Sequence, residues 1–482
     1  MESNPPPSMA AGDGSKLHIV MFPWLAFGHM IPFLELSKLM AQKGHKISFL
    51  STPKNIDRLP KIPLSLSPLI NFVKLPLPQV ENLPGNAEAT TDLPYEKVKY
   101  LKIAYDLLQT PVTQFLKTSN PHWVFFDVIP YWLPQIASNL NIPTVFFNTL
   151  CAGALGFLGP VSVLKGETDY RTKPEDFTVP PKWIPFETSV AFRLFEILRI
   201  FNESFVGDKE NVTDTQRLAS TIEGCDVVAV KSCSEFEPEW FQLLVDLHQK
   251  PVLPVGLLSA SVDDGCDRGG TVEGNGWSEI ENWLEKQERG SVVYIAFGSE
   301  AELSQDELTE IALGLELSEL PFFWVLRKRG TNELPDGFLE RVKGRGVVWT
   351  SWAPQPKILS HDSVGGFLTH GGWSSIVDGI QFGRGLIVLP FLYDQGINAR
   401  ILEEKKLGYS IPRDEQDGSF DRNSVAESLR LVMVEEEGGI YRNKAKEMSG
   451  LFGDRDRQAR YVDNLLGFLQ SQRRIRKELE ST

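Results

Sequence analysis

The chain has 482 residues, of which 42% are hydrophobic and 23% charged, and its formal net charge is −14. That length exceeds what one ordinary core needs, so we expect two domains. The acidic balance argues against nucleic acid or an anionic membrane surface as the main partner, because both select basic patches. No apolar run reaches the length of about 18 residues that predicts a membrane span.

The first half of the chain predicts an α/β domain over residues 16–250, because short apolar runs alternate with helical patterns. Residues 1–15 lack the apolar core of a signal peptide, so we expect a disordered tail and a cytoplasmic protein. A turn at residues 27–29 leads into a predicted helix that ends at Gln42, and residues 95–116 also predict a helix. The predicted strands are 17–22, 46–51, 72–75, 123–127, 144–148 and 226–230.

Residues 251–276 predict an interdomain linker, since the stretch from Ser259 onward has five glycines and no large apolar residue. A second α/β domain is predicted over residues 277–455, followed by a helix over residues 456–482 that packs back on the N-terminal domain. The strands of the second domain are predicted at 292–297, 322–326, 347–350, 365–368 and 386–389. We therefore expect two tandem Rossmann-like, doubly wound domains that face a cleft.

Ligands of doubly wound sheets bind beyond the carboxyl ends of the strands. The side chains found just after predicted strands are therefore the first candidates for a functional site. They are His29, Asp127, Ser299, Trp352, His370 and Asp394. We expect those of both domains to face the shared cleft.

The segment from Trp352 to Gln395 reads WAPQPKILSHDSVGGFLTHGGWSSIVDGIQFGRGLIVLPFLYDQ. It resembles, without a gap, the signature segment of plant family-1 glycosyltransferases, which transfer sugars from UDP-sugars to small secondary metabolites. Length, the early histidine and the spacing of both domains extend the resemblance over nearly the whole chain. It implies the GT-B fold and a UDP-sugar as co-substrate, with no separate cofactor.

The start of this segment suits a nucleoside. Trp352 offers a flat aromatic face on which uracil can stack, and the Ala353 backbone can pair with the base edge. Gln355 can form a hydrogen bond with the base or the ribose. Asp378, one turn into the following helix, can accept from both ribose hydroxyls, as an acidic residue does in dinucleotide-binding folds.

The middle of the segment suits a diphosphate. A pair of glycines allows a tight turn after a strand and opens a helix at Trp373, whose free amides and dipole favour an anion. Side chains that add donors for phosphate oxygens are His370, Ser374, Ser375 and, from the first loop of the second domain, Ser299. The family places its contacts to the sugar hydroxyls at Asp394 and Gln395.

Three positions depart from the family pattern. Gly371 stands where the family mostly has cysteine, Ser374 where it mostly has asparagine, and Asp378 where it mostly has glutamate. Ser374 keeps a phosphate donor, and Asp378 keeps the carboxylate with one methylene less reach. These departures bear on donor affinity rather than on the fold.

The loop FPWLAFGHMIP resembles the family's first-strand loop, in which a histidine is the general base. The resemblance assigns that role to His29, and imidazole titrates near neutral pH, which suits removing a proton from an acceptor hydroxyl. Asp127 matches the aspartate that forms a hydrogen bond with this histidine and fixes its tautomer. Beside them, Trp24, Leu25 and Phe27 are candidates for lining an acceptor pocket.

The implied reaction is a single displacement that inverts the anomeric configuration. No metal ion is required, since we find no Asp-x-Asp at a predicted strand end. At finer grain the chain resembles the branch that adds glucose or rhamnose to flavonoids or terpenoids that already carry a sugar. The family most often pairs Gln395 with glucose, but rhamnose as donor and an aglycone as acceptor stay open. We expect a monomer that binds the UDP-sugar and a small-molecule acceptor.

Two other classes of protein are alternative interpretations of the same pattern. A nicotinamide-dependent oxidoreductase is also doubly wound, but it needs G-x-G-x-x-G after the first strand, where this chain has PWLAFGH. A non-catalytic UDP-sugar sensor would be expected to lose the base or its partner, yet His29 and Asp127 are both present.

Overall fold

We describe the protein from a computed structural model that covers residues 16–168, 170–207, 211–262, 276–327 and 331–480. The predicted tail at residues 1–15 and the central part of the predicted linker, residues 263–275, lie outside these ranges. Within the described ranges the chain folds into two α/β domains, each built on a parallel sheet.

The described strands of the N-terminal domain are β1 (His18–Phe22), β2 (Lys46–Ser51), β3 (Ile70–Lys74), β4 (Trp123–Phe126), β5 (Thr144–Asn148), β6 (Val227–Val230) and β7 (Val252–Pro254). Their order across the sheet is β3-β2-β1-β4-β5-β6-β7, and every pair is parallel. In the centre of the sheet, Ile19 pairs with Ile47 on one side and with Trp123 on the other. The central strands are continuous apolar runs because helices cover both faces of the sheet.

The helices of this domain that the structure describes are α1 (Phe27–Gln42), α2 (Pro53–Arg58), α3 (Val98–Asp106), α4 (Gln109–Ser119), α5 (Leu133–Asn139), α6 (Ala152–Leu158), α7 (Val161–Leu164), α8 (Leu194–Phe201), α9 (Asp214–Gly224) and α10 (Pro238–His248). Shorter helical turns lie at Leu64–Leu66, Thr90–Asp92, Tyr95–Lys97, Pro174–Phe177 and Asn202–Val206. The single helix predicted over residues 95–116 is two helices, α3 and α4, because Pro111 has no N–H to donate to the carbonyl of Leu107.

The described strands of the C-terminal domain are β8 (Val292–Ala296), β9 (Phe322–Val325), β10 (Gly346–Trp349), β11 (Val364–Thr369), β12 (Gly385–Val388) and β13 (Gly408–Ser410). They form a second parallel sheet in the order β10-β9-β8-β11-β12-β13. The helices described here are α11 (Trp277–Leu284), α12 (Gln305–Ser318), α13 (Phe338–Arg341), α14 (Gln355–Ser360), α15 (Trp373–Gln381), α16 (Gln395–Glu404), α17 (Arg422–Met433), α18 (Gly439–Phe452) and α19 (Arg455–Glu480). The capping box predicted at the start of α12 is present, with reciprocal hydrogen bonds between Ser304 and Glu307.

Two short edge strands were not predicted from the sequence. β7 lies within residues 251–276, so the first sheet extends beyond residue 250, where we expected the domain to end. β13 ends the second sheet on the opposite edge from β10. Each has three residues, too few to show a hydrophobic period. Pro251 precedes β7 and Pro254 is its last residue, which an edge strand tolerates.

The last helix, α19, packs against the N-terminal domain although it follows the C-terminal one. Its apolar residues join the cluster on one face of the first sheet, where the carbonyl of Leu469 accepts from Trp123 Nε1 at 3.3 Å. Arg476 pairs with Asp226 at 2.6 Å near the end of the helix. Among the helices that the structure describes, none is long and apolar enough to cross a membrane.

In both sheets the strand order reverses beside the first strand, between β1 and β4 and between β8 and β11. Such switch points leave a crevice at the carboxyl ends of the strands, because successive connections leave toward opposite faces. His29 and Asp127 follow the two strands of the first switch point. Ser299 and His370 follow those of the second. The fold therefore brings together residues from distant parts of the sequence.

Candidate active site

The carboxyl ends of both sheets open into one cavity of about 530 Å³ between the domains. With the exception of Leu25, all of the site residues predicted from the sequence line this cavity. Leu25 is fully buried in the core of the N-terminal domain and is not among the lining residues, which corrects the expectation for that residue. The lining therefore combines a predicted nucleotide segment from one domain with a predicted acid–base pair from the other.

His29 and Asp127 form a close hydrogen-bonded pair. His29 lies in the first turn of α1, and its Nδ1 is 2.8 Å from Asp127 Oδ2. The carboxylate is held by the backbone amides of Trp24 at 3.0 Å and Val128 at 2.7 Å, and its side chain is only 2% exposed. The imidazole is 23% exposed, so it can meet a ligand while its partner stays fixed.

The electrostatic surroundings raise the pKa of His29 above its ordinary value. Burial alone would lower that pKa, but the Asp127 carboxylate outweighs burial, with further contributions from Glu300 and Asp394. Thr149 Oγ1 lies 3.2 Å from the same Nδ1 and completes the contacts of that nitrogen. The pair can therefore take up a proton at Nε2 and stabilise the resulting imidazolium.

The predicted acceptor-side aromatics lie close to this pair. Trp24 is 5% exposed and packs edge-on against Tyr105 at 5.3 Å, and Phe27 begins α1. Both line the cavity, together with apolar side chains from several helices of the N-terminal domain, among them Phe157, Ile200 and Leu218. This part of the cavity is therefore an apolar wall beside a polar pair.

On the C-terminal side, four predicted residues surround one end of the cavity. Trp352 and Ala353 lie in the loop between β10 and α14, and the Trp352 carbonyl accepts from Trp349 Nε1 at 3.1 Å. Gln355 Nε2 donates to Asp378 Oδ2 at 2.9 Å. Burial raises the pKa of Asp378 to about 6, although the hydrogen bond from Gln355 opposes that shift. The arrangement offers an aromatic face beside a carboxylate and an amide.

His370 lines the same cavity and directly follows β11. Its ring is so close to two glycines that a Cβ at Gly298 would lie 2.8 Å from Cε1 and a Cβ at Gly372 would lie 2.5 Å from Nε2. Gly298 also has φ of 76°, a conformation that favours glycine. Burial lowers the pKa of His370 to about 4, so the ring is neutral near pH 7 and has one N–H to donate.

The N-terminus of α15 faces the same space. Gly371 precedes it with φ of 85°, and a Cβ there would lie 2.8 Å from Val388 Cγ1, which accounts for glycine at this position. Ser374 and Ser375 lie in the first turn and line the cavity. Trp373 is 4% exposed, and its ring stacks on Phe236 of the N-terminal domain.

Asp394 and Gln395 lie at the start of α16, and both line the cavity. Gln395 Oε1 accepts from the amides of Phe391 at 2.8 Å and Leu392 at 3.0 Å, which leaves its amide nitrogen as the group able to donate to a ligand. Asp394 Oδ2 accepts from Asn398 Nδ2 at 2.7 Å. Burial raises the pKa of Asp394, and this hydrogen bond opposes the shift.

Several polar residues that line the cavity were not predicted from the sequence, among them Lys231, Lys102 and Asp214. Lys231 directly follows β6, and the rule that singled out residues after strands could have found it. Lys102 of α3 pairs with Asp214 of α9 at 2.6 Å, and no sequence signal links these two positions because tertiary packing alone joins them. Over the described ranges, no group of three or more His, Cys, Asp or Glu side chains is arranged to hold a metal ion.

Comparison with known proteins identifies the family of this chain. A family model for "UDP-glucoronosyl and UDP-glucosyl transferase" matches residues 99–459. UDP-glycosyltransferase 91A1 of Arabidopsis thaliana is 55% identical over 471 residues, which cover 96% of this chain and 98% of that protein. The chain belongs to the plant family-1 UDP-glycosyltransferases.

Two further relatives extend the comparison of this glycosyltransferase. The soyasaponin III rhamnosyltransferase of Glycine max is 43% identical, with 95% of this chain and 96% of that protein covered. The structure of Phytolacca americana UGT2 with UDP-2fluoro-glucose and pterostilbene superposes with a TM-score of 0.73 at 26% identity, covering 94% of this chain and 99% of that one. The GT-B fold expected from the resemblance is confirmed.

Proposed function

We propose that this UDP-glycosyltransferase moves a hexose, glucose or rhamnose, from a UDP-sugar to a hydroxyl of a small plant metabolite, with inversion and without a metal ion. The acceptor is a flavonoid or terpenoid that already carries a sugar. The observation that carries the proposal is that the His29–Asp127 pair and the N-terminus of α15 belong to different domains but line one cavity.

The donor lies along the C-terminal side of the cavity in this proposal. Uracil stacks on Trp352 and pairs with the Ala353 backbone, while Gln355 and Asp378 meet the ribose. The diphosphate takes the amides of α15 and hydroxyl donors around it. Those donors are Ser299, Ser374, Ser375 and the neutral ring of His370.

The chemistry follows from where the proton goes. His29 Nε2 removes the proton of the acceptor hydroxyl, and the oxygen attacks the anomeric carbon from the face opposite UDP. The bond from that carbon to the β-phosphate oxygen breaks, and its electron pair leaves with UDP. Asp127 stabilises the imidazolium, and the donors at α15 stabilise the charge that develops on the diphosphate.

A glycosylated acceptor is supported by the mixture of groups on the acceptor side. An aglycone ring system suits the apolar wall with Trp24 and Phe27. A sugar needs partners for its hydroxyls, and the Lys102–Asp214 ion pair offers a charged donor and acceptor in the same part of the cavity. Ser204 and Thr215 line the cavity beside this pair.

Two observations bear on the identity of the transferred sugar, and they favour different sugars. The side-chain amide of Gln395 can donate to a sugar hydroxyl, and the family resemblance pairs that residue with glucose. The Glycine max relative is a rhamnosyltransferase, which favours rhamnose. We therefore propose UDP-glucose and UDP-rhamnose as the two candidate donors, and the experiment below includes both.

The proposal is tested by competition between a flavonoid or triterpenoid aglycone and its monoglucoside, with UDP-glucose and UDP-rhamnose in parallel reactions. Products and released UDP are quantified by mass spectrometry, with and without EDTA. We expect a higher kcat/KM for the glucoside and no loss of rate with EDTA. Preference for the free aglycone with both donors would overturn the acceptor, and the absence of acceptor-dependent UDP release would indicate a non-catalytic UDP-sugar-binding protein.

A further inference from the structure

Lys231 is a buried lysine that reaches across the domain boundary. It follows β6 of the N-terminal domain, yet its Nζ donates a hydrogen bond to Ser374 Oγ in the first turn of α15 at 2.6 Å. The residue is only 2% exposed and lines the cavity. Burying a lysine costs free energy, because an ammonium group loses its hydration and needs a charged partner to offset that loss.

The backbone of Lys231 is anchored to the same helix. Its carbonyl accepts from Trp373 Nε1 at 2.6 Å, and its amide donates to the Asn148 carbonyl at 3.0 Å. The Trp373 ring stacks on Phe236 with 5.8 Å between ring centroids. The ammonium group is therefore held at the N-terminus of α15 by contacts from both domains.

The hydroxyl that receives this hydrogen bond still has its own proton to donate. A phosphate oxygen that accepts from Ser374 Oγ would lie about 4 Å from Lys231 Nζ, given ordinary hydrogen-bond lengths and a tetrahedral angle at the oxygen. The other oxygens of a diphosphate lie closer still in some orientations. Direct contact between the ammonium and the donor's diphosphate then requires only a small rotation of the lysine side chain.

Nearby charges keep Lys231 protonated. Burial lowers its pKa to about 8, and the carboxylates of Asp378, Glu35 and Asp394 oppose that shift. The ammonium form therefore predominates near pH 7. By contrast, Lys38, another lysine at the cavity, already forms an ion pair with Glu35 at 2.8 Å. The hydrogen-bond acceptor of Lys231 is a neutral hydroxyl, so an incoming diphosphate would supply the opposite charge.

We propose that Lys231 is a diphosphate-binding residue that the N-terminal domain contributes to the donor site, where it neutralises charge on UDP as the glycosidic bond to the β-phosphate breaks. The inference rests on the proposed position of the diphosphate at α15. It makes the donor site incomplete until the N-terminal domain is in place, although the predicted donor residues all belong to the C-terminal domain.

The test compares Lys231→Met, which keeps the length of the side chain but removes the charge, with Lys231→Arg, which keeps the charge. Dissociation constants are measured at pH 7 for UDP by calorimetry and for uridine, which has no phosphate, by NMR titration. Lys231→Met should weaken UDP binding by about ten- to a hundredfold, the value of a charge-assisted hydrogen bond, and leave uridine binding unchanged. Lys231→Arg should recover most of the loss.

Two controls make the result interpretable. Lys250→Met removes a lysine of the same domain that donates to backbone carbonyls outside the cavity, and it should bind UDP normally. Trp352→Ala should weaken UDP and uridine alike, and if it changes neither, the proposed donor site itself fails. If Trp352→Ala behaves as expected while Lys231→Met binds UDP normally, or loses uridine and UDP equally, the inference about Lys231 is overturned and the donor site stands.

Discussion

The proposed donor side of the cavity is formed mostly by one contiguous segment, residues 352–395, whereas the proposed acceptor side is assembled from loops and helices spread over residues 24–218. In the donor segment, strand ends and helix starts follow one another at short spacings, so local sequence already fixes which groups point to the ligand. On the acceptor side, neighbours in space are distant in sequence. The difference teaches that the residues of the proposed nucleotide site can be predicted together from a local sequence pattern, whereas most of those of the proposed acceptor site cannot.

The sharpest way to separate the two sides is to remove the base and leave the donor segment intact. His29→Ala should lower turnover by about a hundredfold or more, the usual contribution of a general base, while the dissociation constant for UDP stays the same. Initial rates of UDP release and calorimetry measure the two effects. His361→Ala is the matched control, because the His361 ring lies outside the cavity, where it forms a hydrogen bond with Ser363. Near-normal turnover of His29→Ala would remove His29 from the mechanism.

Asp127→Asn tests how the base is tuned. His29 must be neutral to accept a proton, and its raised pKa means that activity is lost as the pH falls through that value. Without the carboxylate, the pKa of His29 should fall, so the acid limb of kcat/KM should move to lower pH. Turnover at pH 8 should also fall by about tenfold or more through loss of the correct tautomer. An unchanged pH profile would contradict the orienting role of Asp127.

On the donor side, Trp352→Ala should weaken UDP binding by about 1–3 kcal/mol, the usual value of a base stacked on an aromatic ring. Calorimetry with UDP and with a UDP-sugar should show equal losses, since both share the uracil. Trp277→Ala, at a tryptophan outside the cavity, is the control and should leave both affinities unchanged. If UDP affinity survives in Trp352→Ala, uracil does not stack on this residue.

The smallest effect is expected on the acceptor side. Asp214→Asn keeps the shape of the side chain but weakens its pairing with Lys102, so kcat/KM for a glycoside acceptor should fall by about tenfold, with little change for the aglycone. Asp246→Asn changes an exposed aspartate of α10 and should leave kcat/KM unchanged for both acceptors. Equal losses for glycoside and aglycone would mean that the ion pair supports the fold of this wall and does not recognise the sugar.

The structure also shows which strands and which site residues could be predicted from the sequence. Apart from β7 and β13, each described strand was predicted from an apolar run. The six candidates chosen because they follow strand ends all line the cavity. The expectation for Leu25 was wrong because a run of apolar residues in a loop does not tell which side chain turns into the core. The strands β7 and β13 were not predicted because three residues are too few to show a hydrophobic period.

Contacts between side chains that are far apart in sequence could not be predicted, even where one of the residues follows a strand. Lys102 and Asp214 are 112 positions apart, and only the packing of α3 and α9 brings them together. Lys231 lies 143 positions before Ser374, and it meets that hydroxyl because the two domains close on one another. Such pairings depend on tertiary structure, which a single sequence does not specify residue by residue.

The central step of the proposed mechanism is direct attack of the acceptor oxygen on the anomeric carbon, from the face opposite UDP. The measurement that tests it is the anomeric configuration of the product, read by proton NMR from a reaction of the wild-type protein with UDP-glucose, in which glucose is α-linked. A single displacement assisted by His29 predicts a β-linked product. An α-linked product would contradict the account, because the configuration would then have been retained.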